Sequence, residues 1–244
     1  MKKFISYLLI LVLFGSALNF SFDITQVNAN NISKENREAW KFIDYIEFVN
    51  EKIFDVSLST QEEIAALGLE KGKVKIWNFV NREIITTIKE TNEDIISLDF
   101  SSKKNKLLFV AEDNILRIWD LSDDSLDKEI AFESTINEAM YIPGTDKAVL
   151  QYSDYLVLVV DLESEEIIKS FNLPENEAIN AFSVCETGRY IAVAGDEIIN
   201  IWDLNNGELF NSIKWEIGDG PAPMTLWINA VDLSRKAKLV AAGG

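Results

Sequence analysis

Short apolar segments alternate with polar clusters along most of the chain. The segments are rich in β-branched and aromatic residues, which is typical of β-strands. Gly or Pro marks reversals between them, as in Pro143-Gly144 and Thr187-Gly188. The pattern predicts an all-β fold, with strands that include residues 83–88, 95–100, 106–111 and 115–121.

A short motif recurs at a nearly constant interval. KIWNF begins at Lys75, RIWDL at Arg117 and NIWDL at Asn200, and VVDL from Val159 takes the same place between the last two. The key positions are separated by 42, 41 and 42 residues, and are Trp77, Trp119, Val160 and Trp202. Four strands fit each interval, and residues 42–58 read as two strands of an earlier unit. The repeat predicts five units at 41–80, 83–121, 126–162, 167–204 and from 208 onward, the last without its final strand.

These units resemble the blades of WD-repeat β-propellers. The resemblance rests on the period, on four strands per unit, and on Trp119-Asp120 and Trp202-Asp203. It implies a β-propeller whose repeated Trp side chains pack between blades. The chain contains no His, so the family's Gly-His element is missing. The network from His to Asp to Trp that such blades often contain therefore cannot form.

The last unit ends early by comparison with the previous one. Ala242-Gly243-Gly244 corresponds to Ala194-Gly195-Asp196, where the turn before a WD strand begins. A propeller normally joins its first and last blades, because open strand edges invite unwanted pairing. We therefore expect a C-terminal truncation of a propeller with roughly six to eight blades.

The N-terminus has the pattern of an export signal. Lys2 and Lys3 precede an apolar run at 4–18, and Val27-Asn28-Ala29 suits cleavage after Ala29. We interpret residues 1–29 as a signal peptide, 30–40 as a linker and 41–244 as an incomplete propeller. This predicts a secreted or periplasmic protein. The alternative is an uncleaved segment that anchors the chain in a membrane.

Composition narrows the functional classes. The 23 basic and 40 acidic residues give a net charge of −17, which disfavours nucleic-acid backbones and anionic lipid surfaces. The absence of His removes the commonest general base and metal ligand. The acidic run at 120–129 does not match the ligand spacing of a regular Ca²⁺ loop, and no glycine-rich nucleotide loop is present. We predict no metal, cofactor or catalytic residue.

The loop between the first two strands of the incomplete fifth unit is a candidate partner-binding site. It is about six residues longer than the repeat predicts, and Trp215, Asp219 and Trp227 lie within it. Rigid aromatic side chains in a Gly/Pro-rich loop suit recognition. The resemblance places this loop on the face that WD-repeat proteins use most for partners. The alternative is that both Trp side chains are strand ends that pack between blades.

Three acidic residues occupy the turn six positions before a repeat anchor. These are Asp113, Asp154 and Asp196, and at this position a short carboxylate can accept hydrogen bonds from turn N–H groups. They support two functions from different classes. The first is a non-enzymatic scaffold that binds another protein through a loop face. The alternative is an extracytoplasmic propeller enzyme or a small-ligand or carbohydrate-binding protein that uses these carboxylates.

Overall fold

Four antiparallel sheets of four strands make up most of the computed structural model. It describes residues 51–173, 177–214 and 228–243 in full, and the strand backbones of 5–10 and 44–49. In the first sheet the strands are β3 (Ile53–Leu58), β4 (Ile64–Leu69), β5 (Lys73–Asn78) and β6 (Glu83–Lys89). The second contains β7 (Ile95–Phe100), β8 (Lys106–Ala111), β9 (Ile115–Asp120) and β10 (Ser125–Ala131). A 3-10 turn at Glu70–Gly72 links β4 to β5.

The next two sheets repeat this order. The third contains β11 (Ile136–Tyr141), β12 (Lys147–Tyr152), β13 (Leu156–Asp161) and β14 (Glu166–Asn172). The fourth contains β15 (Ala181–Val184), β16 (Tyr190–Ala194), β17 (Ile198–Asp203) and β18 (Leu209–Lys214). A fifth sheet has two described strands, β19 (Ala230–Leu233) and β20 (Val240–Gly243). The predicted all-β class is confirmed.

The sheets are offset from the sequence repeat by one strand. The first strand of each repeat unit pairs with the preceding unit, as when β6 completes the sheet of β3 to β5. The earliest unit differs, because β2 (Asp44–Val49) pairs with β1 (Ile5–Ile10) instead of with a four-stranded sheet. The segment β1 lies within the predicted signal peptide, and the signal, the linker and the truncation stay predictions.

The first strands of successive sheets form the inner side of the propeller. Strand β7 lies between β3 and β11, and β15 packs on β19. We call the contact between β3, β7 and β11 the inner seam. The fourth strands β6, β10, β14 and β18 are the outer edges of their sheets, and each has a β-bulge against the third strand. Such bulges disturb an edge that could otherwise pair with another chain.

Farther from the inner side, tryptophan side chains pack in the contacts between neighbouring sheets. Trp119 of β9 is buried in one cluster with Ile64 and Ile76 of the first sheet. Trp202 of β17 packs against Phe171 of the third sheet, with 5.4 Å between the ring centroids. We call these apolar contacts the outer seam. They confirm the predicted packing between blades for Trp119 and Trp202, whereas Trp77 clusters with residues of its own sheet in the described chain.

The turns confirm the chemistry expected from the sequence. Gly144 and Gly188 have φ values of 75° and 68°, a region that L-residues other than Asn and Asp seldom adopt. A Cβ atom on Gly188 would lie 2.6 Å from the Pro143 carbonyl oxygen, so the turn requires glycine for space as well. Among the described residues, no helix is long and apolar enough to cross a membrane.

Candidate functional site

The loops of the four sheets and of the described fifth sheet lie on two opposite faces. The turns between second and third strands share one face with the loops that connect successive sheets, because the strands run alternately up and down. Contacts confirm this: the Lys71 N–H donates to Asp94 at 2.8 Å, and the Phe132 N–H donates to the Asn114 carbonyl at 3.1 Å. The other face contains the remaining turns, where Gly144 N–H donates to Ser102 Oγ at 2.8 Å.

The two faces differ in charge. In the described part of the chain, the loops of the first face contain twelve acidic side chains and two basic ones, Lys52 and Lys71. We call this the acidic face, and its acids are Glu51, Glu70, Glu90, Glu93, Asp94, Glu112, Asp113, Glu133, Asp154, Glu177, Asp196 and Glu197.

The other face, which we call the mixed face, has nine acidic and seven basic side chains in its described loops. The basic ones are Arg82, Lys103, Lys104, Arg189, Arg235, Lys236 and Lys238. The acidic ones are Glu62, Glu63, Asp123, Asp124, Asp146, Glu163, Glu165, Glu186 and Glu208. The charge of the chain is therefore distributed unevenly, and the acidic face is the more negative of the two.

Asp113 is held in place by a neighbouring strand and a neighbouring loop. Its carboxylate accepts two hydrogen bonds from the Arg117 guanidinium, at 3.0 and 2.8 Å, and one from Thr91 Oγ1 at 2.9 Å. The Ile115 N–H also donates to it at 3.1 Å, as expected for this turn position. Burial opposes ionisation of Asp113, but the bonds from Arg117 and Thr91 outweigh it and lower the pKa of its carboxyl.

Asp196 and Asp154 contact the loop that precedes the fourth sheet. Asp196 accepts a hydrogen bond from Asn180 Nδ2 at 2.9 Å, and its own N–H donates to Glu177 at 3.0 Å. The exposed Asp154 accepts the Ile179 N–H through its backbone carbonyl. Asp113, Asp154 and Asp196 thus lie on successive turns of one face, and no hydrogen bond joins two of them in the described part of the chain. Trp215, Asp219 and Trp227 lie outside the described residues.

A polar cavity lies beside the inner seam. It has a volume of about 280 Å³ and is lined by side chains from three successive sheets and the next loop. Phe54 and Ile96 supply apolar wall. The polar lining residues are Asp55, Ser97, Asn137, Glu138, Gln151 and Asn180.

Carboxylates connect the first strands across the inner seam. Asp55 of β3 accepts the Leu98 N–H of β7 at 2.8 Å. One sheet further, Asp99 of β7 accepts the Tyr141 N–H of β11 at 2.8 Å. Each bond joins residues about one repeat apart, so neighbouring sheets are linked by equivalent contacts.

Hydroxyl groups complete this arrangement. Ser97 Oγ donates to the Ala139 carbonyl and accepts the Ala139 N–H, both at 3.1 Å. Ser57 Oγ donates to the second oxygen of Asp99 at 3.2 Å. The sequence contains a signal for this row that the repeat analysis missed, since polar residues at 55, 57, 97 and 99 interrupt otherwise apolar first strands.

Three carboxyls of the inner seam resist ionisation. Desolvation raises the pKa of Asp55 to about 6 and that of Asp99 to about 7, although backbone N–H donors oppose the rise. Desolvation and the negative charges of Asp55 and Asp99 raise the pKa of Glu138 to about 8.

No group of three or more acidic or Cys side chains in the described chain has a geometry that could hold a metal ion.

Comparison with protein families identifies the repeat. Residues 9–207 match the family model described as the IFT122 second β-propeller. The chain belongs to this WD-repeat β-propeller family. The predicted resemblance is therefore confirmed, although the chain lacks the His of the family's common blade network and has Thr91 as the loop partner of Asp113.

Several curated WD-repeat proteins are similar to this chain. The U3 small nucleolar RNA-associated protein 21 homolog of Schizosaccharomyces pombe is 24% identical over 163 residues, which cover 65% of this chain and 18% of that protein. COMPASS component SWD3 of Saccharomyces cerevisiae is 28% identical, and the match covers 46% of this chain and 39% of that protein. The serine-threonine kinase receptor-associated protein of Gallus gallus is 23% identical, and the match covers 79% of this chain and 52% of that protein. The matched region thus spans only part of each relative.

A solved propeller has the same fold. The crystal structure of the Cps50 (Swd1) β-propeller domain of Myceliophteria thermophila superposes with a TM-score of 0.63 at 18% identity. The match covers 77% of this chain and 60% of that domain chain. At this identity the likeness establishes the fold alone, and function has to be argued from the site.

Proposed function

We propose that this WD-repeat protein is a non-enzymatic scaffold that binds a basic surface of a partner protein through its acidic face. The observation that carries the proposal is the charge difference between the two faces in the described chain, twelve acidic to two basic side chains against nine to seven. Complementary charge steers encounter and selects partners. The relatives support a protein partner, because their names describe a complex component and a receptor-associated protein.

Charge reversal on each face tests this proposal. The acidic-face variant combines four substitutions at exposed loop positions, Glu112→Lys, Glu133→Lys, Asp154→Lys and Glu197→Lys. The control makes the same change in net charge on the mixed face, with Glu62→Lys, Glu63→Lys, Asp123→Lys and Glu208→Lys. The probe is a fluorescent oligolysine peptide, followed by pull-down from the cell envelope with each full-length chain.

We expect the acidic-face variant to bind the peptide about tenfold or more weakly than the control, since charge complementarity is lost only there. Wild-type binding should also weaken with added salt, because exposed charges are screened. A protein captured by the wild type and by the control, but not by the acidic-face variant, would support the scaffold. Equal capture by both variants would contradict it.

We also propose that the scaffold is exported and that residues 1–29 are removed. The sequence of the N-terminal segment supports this, with two Lys before an apolar run and a small residue at the cleavage position. N-terminal sequencing of the mature protein should begin at Asn30, in an extracytoplasmic fraction. An intact N-terminus in the membrane fraction would support the anchored alternative, and an intact N-terminus in the cytoplasm would contradict export altogether.

The polar cavity beside the inner seam supports a second candidate, a small-ligand or carbohydrate-binding protein. Its volume of about 280 Å³ lies near the lower limit of ligand pockets. A panel of glycosidase substrates and a sugar-binding screen would test this function. Turnover that disappears in Glu138→Gln, while the variant stays folded, would replace the scaffold with an enzyme.

A further inference from the structure

The inner seam differs from an ordinary blade contact because its polar groups are carboxyls from neighbouring sheets. Asp55 and Asp99 each accept a backbone N–H of the next sheet, at 2.8 Å. Glu138 follows on β11, and its side chain lines the same cavity as Asp55. Three acidic groups on β3, β7 and β11 therefore lie on the surfaces that hold three successive sheets together.

Basic residues are missing from the strands around these carboxyls. The first strands β3, β7 and β11 and the second strand β4 contain no Lys or Arg. The titratable groups on these strands are Asp55, Asp99, Glu138 and Tyr141, and the nearby negative charges raise the pKa of the Tyr141 hydroxyl beyond the effect of its burial.

Cations on the flanking elements point elsewhere. Lys106 of β8 pairs with Asp127 on the outer strand β10 at 2.6 Å, and Lys147 of β12 pairs with Asp161 at 2.6 Å. The exposed Lys52 lies over the Phe54 ring, 4.1 Å from its centroid. The cluster therefore has to reduce its own charge repulsion, and binding a proton is the direct way to do so.

The hydrogen bonds of Asp99 are suited to a bound proton. One oxygen accepts the Tyr141 N–H, which requires an acceptor in either state. The other oxygen faces Ser57 Oγ at 3.2 Å, and a hydroxyl can donate or accept. A protonated Asp99 can therefore donate to Ser57 while it keeps its bond to the neighbouring sheet. The contacts of Asp99 with Tyr141 and with Ser57 can therefore both persist when the carboxylate is protonated.

We propose that the inner seam depends on proton binding: Asp55, Asp99 and Glu138, which lie on three neighbouring strands without a basic partner there, bind protons at mildly acidic pH, and this stabilises the contact between the first three sheets. The sign follows from linkage. An acid whose pKa is higher in the folded protein than in the unfolded chain favours folding when it is protonated. The stabilisation is complete below the unfolded-state pKa and is lost as the pH rises through the folded-state values of about 6, 7 and 8.

The proposal does not depend on which partner binds the acidic face. It predicts that a chain at neutral pH is less stable than the same chain at mildly acidic pH. Ion pairs elsewhere in the protein act in the opposite direction only at lower pH, because carboxyls such as Asp161 titrate below the window from 5 to 8. The pH window therefore separates the inner seam from ordinary acid denaturation.

Thermal melts of the full chain between pH 5 and pH 8 test the proposal. The variants are Asp99→Asn, which can donate to Ser57 and accept from Tyr141, and Glu138→Gln. The matched control is Glu133→Gln, which removes an exposed carboxyl between β10 and β11. We expect the wild-type and control Tm to rise by about 5 °C or more from pH 8 to pH 5. Each seam variant should melt higher than the wild type at pH 8 and show a smaller pH dependence.

Carboxyl ¹³C chemical shifts of the wild-type chain provide an independent readout that does not require a variant to fold. Asp99 and Glu138 should titrate near neutral pH. Melting profiles of the two seam variants that run parallel to the wild type would overturn the proposal. So would titration of both carboxyls at ordinary acidic values.

Discussion

The outer and inner seams show how one repeat produces two different interfaces between the same sheets. The outer seam is apolar: Trp119 packs with Ile64 and Ile76, and it is only 8% exposed. The inner seam is polar, and Asp99 joins β7 to β11 through a hydrogen bond. Apolar burial stabilises the outer seam at any pH, whereas carboxyls make the inner seam depend on proton binding. Each of the first three sheets therefore has a pH-independent apolar contact at its outer seam and a proton-sensitive polar contact at its inner seam.

Removal of the outer-seam tryptophan should have the largest effect. Trp119→Ala leaves a cavity among the side chains of two sheets, and we expect it to lower the free energy of unfolding by about 3–5 kcal/mol. Urea denaturation would measure this loss. The exposed Val80→Ala in the turn after β5 is the control and should be nearly silent. A silent Trp119→Ala would show that the outer seam does not hold the sheets together.

Loss of the buried ion pair beneath the acidic face should have the second largest effect on stability. Arg117 is 3% exposed and binds both Asp113 and Glu129. Arg117→Leu leaves the Asp113 carboxylate without its main partner, so we expect a loss of about 3 kcal/mol. Leu158 occupies the equivalent strand position of the third sheet, so the repeat itself accommodates leucine there.

A double-mutant cycle separates the charge from the packing. If the Asp113 charge causes the loss, adding Asp113→Asn to Arg117→Leu should recover part of it. Additive losses in the cycle would mean that the two side chains contribute independently, and that the ion pair does not set the position of this turn.

A hydroxyl of the inner seam should matter less. Ser97 is 2% exposed and its Oγ bonds both backbone groups of Ala139. Ser97→Ala leaves a buried N–H without its acceptor, which should cost about 1–3 kcal/mol in urea denaturation. The loss should be larger at pH 8 than at pH 5, because Ser97 also forms a hydrogen bond that opposes the rise in the pKa of Asp55 and so stabilises its ionised form. An equal loss at both pH values would mean that Ser97 does not interact with the ionised carboxylate of Asp55.

The surface ion pair of β13 should have the smallest effect. Hydrogen bonds from Lys147 and from the N–H groups of Ser164 and Glu163 lower the pKa of Asp161 to about 2. A lowered pKa stabilises the folded state above the unfolded-state value and loses that contribution as the pH falls towards 2. Asp161→Asn should therefore lower the free energy of unfolding by less than about 1 kcal/mol at pH 7, as measured by thermal melts. At pH 2 the substitution should have almost no effect, because the wild-type carboxylate no longer contributes there. An equal loss at both pH values would exclude the charge as its cause.

The repeat was predictable from the sequence because its signal is periodic. The Trp anchors and the alternation of short apolar segments placed β6, β7, β8 and β9 to within one residue of the strands observed. The pairing of β2 with β1 was not predictable, since backbone pairing depends on which partner is near rather than on the strand's own residues.

The candidate site was predictable in part. The turn position of Asp113 and its bond to the Ile115 N–H followed from local turn chemistry. The link from Thr91 to Asp113 did not, because it joins two loops that only the fold brings together. The carboxyls of the inner seam were missed for the same reason: Asp55 and Asp99 look like isolated polar residues until β3 and β7 lie side by side.

The comparison of the two seams is tested most directly by the free energy of unfolding as a function of pH for three chains. These are the wild type, Trp119→Ala and the combined variant Asp99→Asn with Glu138→Gln. We predict that Trp119→Ala lowers stability by the same amount at every pH from 5 to 8, whereas the combined variant shows a smaller pH dependence than the wild type. A pH dependence altered by Trp119→Ala and unchanged in the combined variant would contradict the assignment of proton sensitivity to the inner seam.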